Sequence, residues 1–410
     1  MWTPVNRIIL YGVFFNATRM LVGAFSALYL LEHGMTLTDL GLLKTVQAVS
    51  ILVLDVPLAY LADRYSRKLS VVLAAFFGSL WMFLMALTLN KWVFYLAEFF
   101  NALSLALVSG ALISFLIDVG KHADNQRETK TLIGRFQKYQ YFSMGIAAFL
   151  GAVFIDVGSS LMWYVGSVML TGLFFSSAVL PKDVELKPQS DHDLSVFQTF
   201  KTLAHQFKNM DYHLGWVALS LILTMAYYQI LIQFWQPYTQ QGLDSINTLG
   251  DKGIVYGSLF LLILVSQSWA SHVAEKCQSF HRIRTLSIYS GVGTILIALI
   301  GLSYFPAMVP ISIIAMFANN RLLTVGLQSL FHDTIPSRLR STYDSFVSTL
   351  LRIVLVIILP IMGWLLDQSG WPTLIYFYLA SLVGTLLIFG RKMIYTAAEI
   401  QNKEAPRFSR

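Results

Sequence analysis

Long apolar runs separated by short polar turns recur along the whole chain. Reading each run between charged or Pro/Gly breaks predicts helices near 8–31, 42–61, 69–89, 92–117, 136–155 and 161–180. A polar stretch at 181–210 follows, with an amphipathic helix predicted near 194–207. Six further runs lie near 213–238, 254–273, 283–304, 308–330, 343–366 and 373–389. Twelve runs of this length, split six and six by one long polar segment, describe a membrane protein with many helical spans, because about 20 apolar residues of helix cross a bilayer. The expected organisation is a six-helix bundle at 1–180, a linker at 181–210, a second bundle at 211–392 and a tail at 393–410.

Composition agrees with the pattern. The 410 residues are 56% hydrophobic and 12% charged, where soluble domains carry about 25% charge. The start, Met1 to Arg7, leads into a run too long for a signal-peptide core and has no small-residue cleavage pattern, so the first span is expected to be retained. Cys277 is the single cysteine, which rules out an internal disulfide and any multi-cysteine metal site. The net charge of +7 matters less than its placement: with the N-terminus inside, 23 of 29 Lys and Arg residues fall on inner segments. Lys44, Lys91 and Lys252 are assigned to outer turns, and Arg19, Arg321 and Arg352 lie within spans. By the positive-inside rule both termini and the linker are cytoplasmic.

The two halves echo each other at an offset of 212 residues: Ala62-Asp63-Arg64 recurs as Ala274-Glu275-Lys276, and Gly151 recurs as Gly363. Near that register Asp156 matches Asp367, and Arg127 with Thr129 matches Arg340 with Thr342. Parallel halves of this kind are a common construction in transporters.

The turn after the second span, Ala59-Tyr60-Leu61-Ala62-Asp63-Arg64-Tyr65-Ser66-Arg67-Lys68, resembles the G-x-x-x-D-R-x-G-R-K signature of the major facilitator superfamily, with Ala59 and Ser66 at the glycine positions. Asp55-Val56-Pro57 and the segment from Val108-Ser109-Gly110-Ala111 to Asp118 resemble the drug:H+ antiporter-like, twelve-helix branch. The resemblance implies an all-α polytopic membrane protein of two pseudo-symmetric bundles, a monomer in the inner membrane, and alternating access. It further implies a gate of Asp63, Arg64, Arg67, Asp118 and Asp344: Asp63 meets the start of the eleventh span, at Arg340 to Asp344, and the arginine of the signature pairs with Asp118 at the inner end of the fourth. A carboxylate beside a helix N-terminus is stabilised by the exposed N–H groups and the helix dipole.

Ionisable groups deep in a bilayer normally face a cavity or a partner. Arg19 lies twelve residues beyond Arg7, roughly 18 Å along a helix. Polar company stands at helical spacing: Asn16 with Arg19, Arg321 with Thr324 and Gln328, Asp344 with Ser348 and Arg352. The seventh span adds Gln229, Gln233 and Gln236 among Tyr227, Tyr228, Trp235 and Tyr238. Resemblance places the first, fourth, seventh and tenth spans around a central cavity. Arg19, Asn16, Gln229, Gln233, Arg321, Arg352 and Tyr227 are therefore the candidate substrate-binding residues, with interhelical hydrogen bonding as the alternative for the glutamines.

Against these arginines stand two deep carboxylates, Asp55 and Glu98, each either a proton carrier or a fixed counter-ion. Excess fixed positive charge points to a small anionic substrate, a polycarboxylate or a siderophore-like molecule, and the drug-antiporter features point to export with protons as coupling ion. The expected partners are thus a small-molecule substrate, the lipid bilayer and protons, with no cofactor, metal or nucleic acid. A rival within the class is efflux of lipophilic cations; outside it, a channel or non-transporting receptor on the same fold. An enzyme is not expected: the eight histidines form no HExxH spacing, and no Walker-type GK[ST] loop is present.

Overall fold

The computed structural model describes residues 3–87, 90–123, 129–154, 160–183, 212–244, 252–277, 279–335 and 340–388. The amphipathic helix expected at 194–207, most of the linker, Arg127, Asp156 and the tail at 393–410 lie outside the described residues. Among the described residues fourteen α-helices follow in order: α1 (Pro4–Met20), α2 (Ser26–Glu32), α3 (Leu37–Arg64), α4 (Arg67–Leu87), α5 (Lys91–Ser109), α6 (Ala111–Ala123), α7 (Thr129–Val153), α8 (Leu161–Phe175), α9 (Tyr212–Asp244), α10 (Lys252–Lys276), α11 (Phe280–Ser303), α12 (Met308–Thr334), α13 (Arg340–Ser369) and α14 (Pro372–Ile388). Among the described residues nine segments are long and apolar enough to cross a membrane, and Pro372–Thr385 is apolar but shorter.

Helix starts follow local chemistry. Thr3 caps α1, its hydroxyl accepting from the Asn6 N–H ahead of a first-turn Pro4. Thr36 and Asp39 form a reciprocal capping box at the start of α3. Asn90 caps α5 by accepting from the Trp92 and Val93 N–H groups at 3.0 and 3.2 Å.

Two expected single spans are each two helices. The first breaks between Met20 and Ser26, where Leu21 to Phe25 form turns. Val22, Ala24 and Phe25 in this break are buried, and non-helical backbone at membrane depth is tolerated where protein covers it. Gly151 of α7 lies against the Leu21 carbonyl so closely that a Cβ would overlap it. The fourth span divides at Gly110 into α5 and α6.

Grouped by contacts, the chain forms two compact units. The first comprises Met1–Val196 with Asn247–Leu264 and Leu355–Asp367. In it, α4 packs against α5 and α8, α3 against α5, and α1 against α7. Its α3 meets the Leu355–Asp367 part of α13 backbone to backbone: Gly41 faces the Leu359 carbonyl and Gly363 faces the Leu37 carbonyl, and a Cβ at either would overlap. Pro360 lacks the N–H that would bond the Val356 carbonyl, and the Thr45 hydroxyl donates to that carbonyl instead at 3.2 Å. At the end of this contact the Asp367 carboxylate accepts from the Leu37 N–H (3.2 Å), the Thr38 N–H (2.8 Å) and the Thr38 hydroxyl (2.5 Å).

The second unit comprises Phe197–Ile246, Val265–Val354 and Gln368–Arg410. Leu214, Val217, Leu221 and Ile222 of α9 pack on Leu327 and Phe331 of α12 and Val347 of α13. A buried polar seam joins α11, α12 and α14: Ser290 donates to Asn319 (2.7 Å), whose amide donates to the Tyr378 hydroxyl (2.5 Å).

Candidate functional site

A chain of charged and polar side chains runs through the interior of the first unit. Glu98 on α5 is 1% exposed, and its Oε1 accepts from the Lys44 ammonium of α3 at 2.6 Å and from the Asn101 amide at 2.9 Å. The Asn101 carbonyl oxygen then accepts from the Arg19 guanidinium of α1. A second Arg19 N–H donates to Ser104 Oγ at 3.1 Å, and Ser104 donates to the Ala74 carbonyl of α4 at 2.7 Å. The guanidinium lies over the Trp81 ring, 4.6 Å from its centre, with Phe15 at 5.4 Å. Gly78 makes room for it: a Cβ there would stand 3.3 Å from Nη1.

Arg19 and Glu98, singled out by sequence, are thus joined through Asn101. Asn101, Ser104 and Lys44 were not singled out. A signal existed for two of them: Glu98, Asn101 and Ser104 recur every three residues along one face of α5. Lys44, assigned from sequence to an outer turn, is the eighth residue of α3. Asn16 is half-buried and donates to the Gly12 carbonyl of its own helix at 2.8 Å. Asp55 is half-buried on α3 and engaged with neighbours.

The charged turn between α3 and α4 closes on groups of the same unit. Arg67 pairs with Asp63 at 2.8 Å and with Asp118 of α6. Arg64 lies over the Tyr60 ring and donates to its hydroxyl at 2.6 Å. Ser66 is the N-cap of α4: its Oγ accepts from the Leu69 N–H at 2.8 Å and bonds Asp183, which also accepts from the Lys68 N–H at 3.0 Å. The Lys68 ammonium donates to the Leu180 carbonyl at 3.0 Å.

In the second unit Gln233 and Gln236 are buried and Gln229 is half-buried. Tyr227 is buried, its hydroxyl on Met316 Sδ at 3.6 Å and its ring 5.3 Å from that of Tyr378. Arg321 is exposed and donates to Ser271 Oγ of α10 at 2.9 Å. Arg352 is half-buried and engaged, and Asp344 lies 3.4 Å from His332 Nε2. Two apolar grooves are carved in the first unit, of about 360 Å³ beside Phe14, Phe142 and Ile146 and about 260 Å³ beside Phe76, Phe83 and Phe174. Neither touches a charged side chain, so the ionic chain is a site separate from both. Among the described residues no cluster of three His, Cys, Asp or Glu side chains gathers that could hold a metal.

No curated protein matches the sequence. Solved structures do match the fold. The nucleoside transporter NupG superposes with a TM-score of 0.77 at 12% identity, covering 95% of this chain and 99% of that one. A bacterial homologue of the human lysosomal transporter Spinster, inward-facing and occupied, gives 0.70 at 11% identity over 99% and 98%. A POT family transporter in complex with 5-aminolevulinic acid gives 0.67 at 15% identity over 95% and 96%. The sequence profile of the Major Facilitator Superfamily matches residues 8–343, most of the chain, and the chain therefore belongs to the Major Facilitator Superfamily of transporters.

Proposed function

We propose that this secondary transporter moves a small organic anion, a polycarboxylate or siderophore-like molecule, in a proton-coupled cycle. The observation that carries the reading is the state of Arg19. Its guanidinium has five N–H donors, yet its hydrogen bonds go to two neutral acceptors, Asn101 and Ser104. The nearby carboxylate, Glu98, is already matched by Lys44. Arg19 therefore keeps further N–H donors, and a charge only partly offset by a Glu98 shared with Lys44, for a carboxylate, which guanidinium binds in a bidentate fork. Arg321 and Arg352 add positive charge in the second unit, and Asn16, Gln229, Gln233 and Tyr227 supply neutral polar shape. Asp55 and Glu98 are the candidate proton carriers, and Asp63, Arg64, Arg67, Asp118 and Asp344 the gating set.

A lipophilic cation is the poorer fit, because its counter-charge would have to come from Glu98 or Asp55, and Lys44 already occupies the first while the second is engaged with neighbours. The resemblance of Asp55-Val56-Pro57 and of the segment from Val108 to Asp118 to drug antiporters supports outward movement, and the family resemblance supports a monomer in the cytoplasmic membrane. The sign of the coupling is a separate matter, set by which groups share a charge.

The test is counterflow in proteoliposomes with radiolabelled citrate and fumarate. Saturable exchange is expected, unaffected by lipophilic drug cations and lowered about tenfold in Arg19→Gln, the equivalent of about 1.4 kcal/mol of binding. Undiminished polyanion exchange after neutralising Arg19, Arg321 and Arg352 together would refute the reading.

A further inference from the structure

The Lys44–Glu98 pair is asymmetric. Glu98 is 1% exposed, whereas the Lys44 side chain is 28% exposed. An arriving anion meets the lysine and not the carboxylate. Lysine is a compact point charge, and one ammonium cannot fully neutralise two anions at once. If a substrate carboxylate takes Lys44, Glu98 is left enclosed with the Asn101 amide as its remaining hydrogen-bond donor. A buried carboxylate stripped of its cation is costly, and taking up a proton removes the cost.

The other charges around α5 do not replace Lys44. From α1, Arg19 acts on Glu98 as a nearby charge but makes no direct hydrogen bond to it, the link running through Asn101. At one end of α5, Lys91 lies 3.9 Å from Asp39 of α3. Toward the opposite end Arg67 of α4 is held by Asp63 and by Asp118 of α6, and Lys68 by the Leu180 carbonyl.

Resting on the anionic reading but not on its direction, we propose that Lys44 is a substrate-contact residue shared between Glu98 and the anion, so that anion and proton load together. Loading substrate passes the lysine from Glu98 to the anion, and Glu98 binds a proton from water. Unloading reverses both. Co-loading is the sign of a symporter, opposite to that of the antiporters the sequence resembles, so the anion follows the proton gradient, and under an inward gradient this inference replaces the outward direction taken from that resemblance.

Purified full-length protein is titrated with fumarate and with citrate, in buffers of differing ionisation enthalpy, so that calorimetry counts protons exchanged per ligand bound. About one proton is taken up per anion, and by linkage the affinity weakens by up to about tenfold per pH unit as pH rises. Glu98→Gln is expected to bind the anion with no proton uptake and no pH dependence. Lys44→Arg retains binding, whereas Lys44→Gln weakens it at least about tenfold, about 1.4 kcal/mol. If Lys44→Gln fails to fold, the double variant Lys44→Gln/Glu98→Gln, which removes both charges of the pair, is compared with Glu98→Gln and shows the same loss. Binding by the wild type with protons released or unchanged overturns the inference while the anionic reading stands. Proton uptake that persists without Lys44 also overturns it. Failure of folded wild type to bind either anion removes the anionic reading and the inference together.

Discussion

Ser66 stands where the family signature has its second glycine, and its hydroxyl does what a glycine cannot. It caps α4 by accepting from the Leu69 N–H and binds Asp183 at the far side of the turn. Replacing an N-cap serine by alanine costs about 0.5–2 kcal/mol, whereas glycine costs only a few tenths. Thermal unfolding of purified protein should therefore rank wild type highest, Ser66→Gly slightly below and Ser66→Ala lowest; identical midpoints would deny Ser66 a capping role. At this scale the sequence exposed half of each contact. Glu98 and Arg19 stood out because charge is rare inside a span, and Arg67 and Asp118 because they fell at helix ends. Their partners did not. Lys44 sits near the start of a run and reads as a turn residue until the fold carries its long side chain 2.6 Å from Glu98. Asp183 follows the sixth span by sequence, and only packing returns it to the turn after the second.

Among the elements, α3 and the Leu355–Asp367 part of α13 approach backbone to backbone, and small residues permit it. Gly41 and Gly363 each face a carbonyl of the opposing helix, the Thr45 hydroxyl takes the carbonyl that Pro360 frees, and Asp367 binds two N–H groups at the start of α3. Gly363→Val drives the helices apart and breaks the Asp367 bonds. Because hydrogen bonds to charged groups contribute about 1.5–3 kcal/mol each, losing them shifts the population toward a separated arrangement. In a Cys277→Ser background, a cysteine replacing the buried Leu359 should react with a thiol reagent about tenfold faster once Gly363→Val is added. An unchanged labelling rate would mean that this contact does not hold the arrangement together. The twelve apolar runs were legible because spanning hydrophobicity is a property of the local sequence alone. The break between α1 and α2 was not, since it has no proline and its one glycine, Gly23, is no stronger a signal than glycines inside unbroken helices. What stabilises the break is remote: Gly151, whose missing side chain lets α7 reach the Leu21 carbonyl. The repeat hinted at this, for Gly151 and its counterpart Gly363 both bring a helix against a carbonyl of the first 40 residues.

For the whole molecule the governing quantity is the distribution of charge between the two faces. Twenty-three Lys and Arg residues are assigned to one face, and of the three assigned to the other, Lys44 belongs to the interior of α3. Moving Lys44 strengthens the bias, because only Lys91 and Lys252 then remain on the outer face. Loop lysines and arginines near span ends are retained on the cytoplasmic side, so a bias of this size specifies a single orientation. The same orientation puts the Arg67–Asp63–Asp118 cluster inside and the Asp367 contact with α3 outside, at opposite ends of α3. Single cysteines placed in the Cys277→Ser background at Ser195, in the linker, and at Leu249, between the seventh and eighth spans, separate the possibilities. In intact cells a membrane-impermeant thiol reagent should label the Leu249→Cys variant and spare Ser195→Cys until the membrane is opened. Labelling of both in intact cells would indicate a mixed population, and labelling of Ser195→Cys alone would invert the chain and with it the faces on which the two ends of α3 lie.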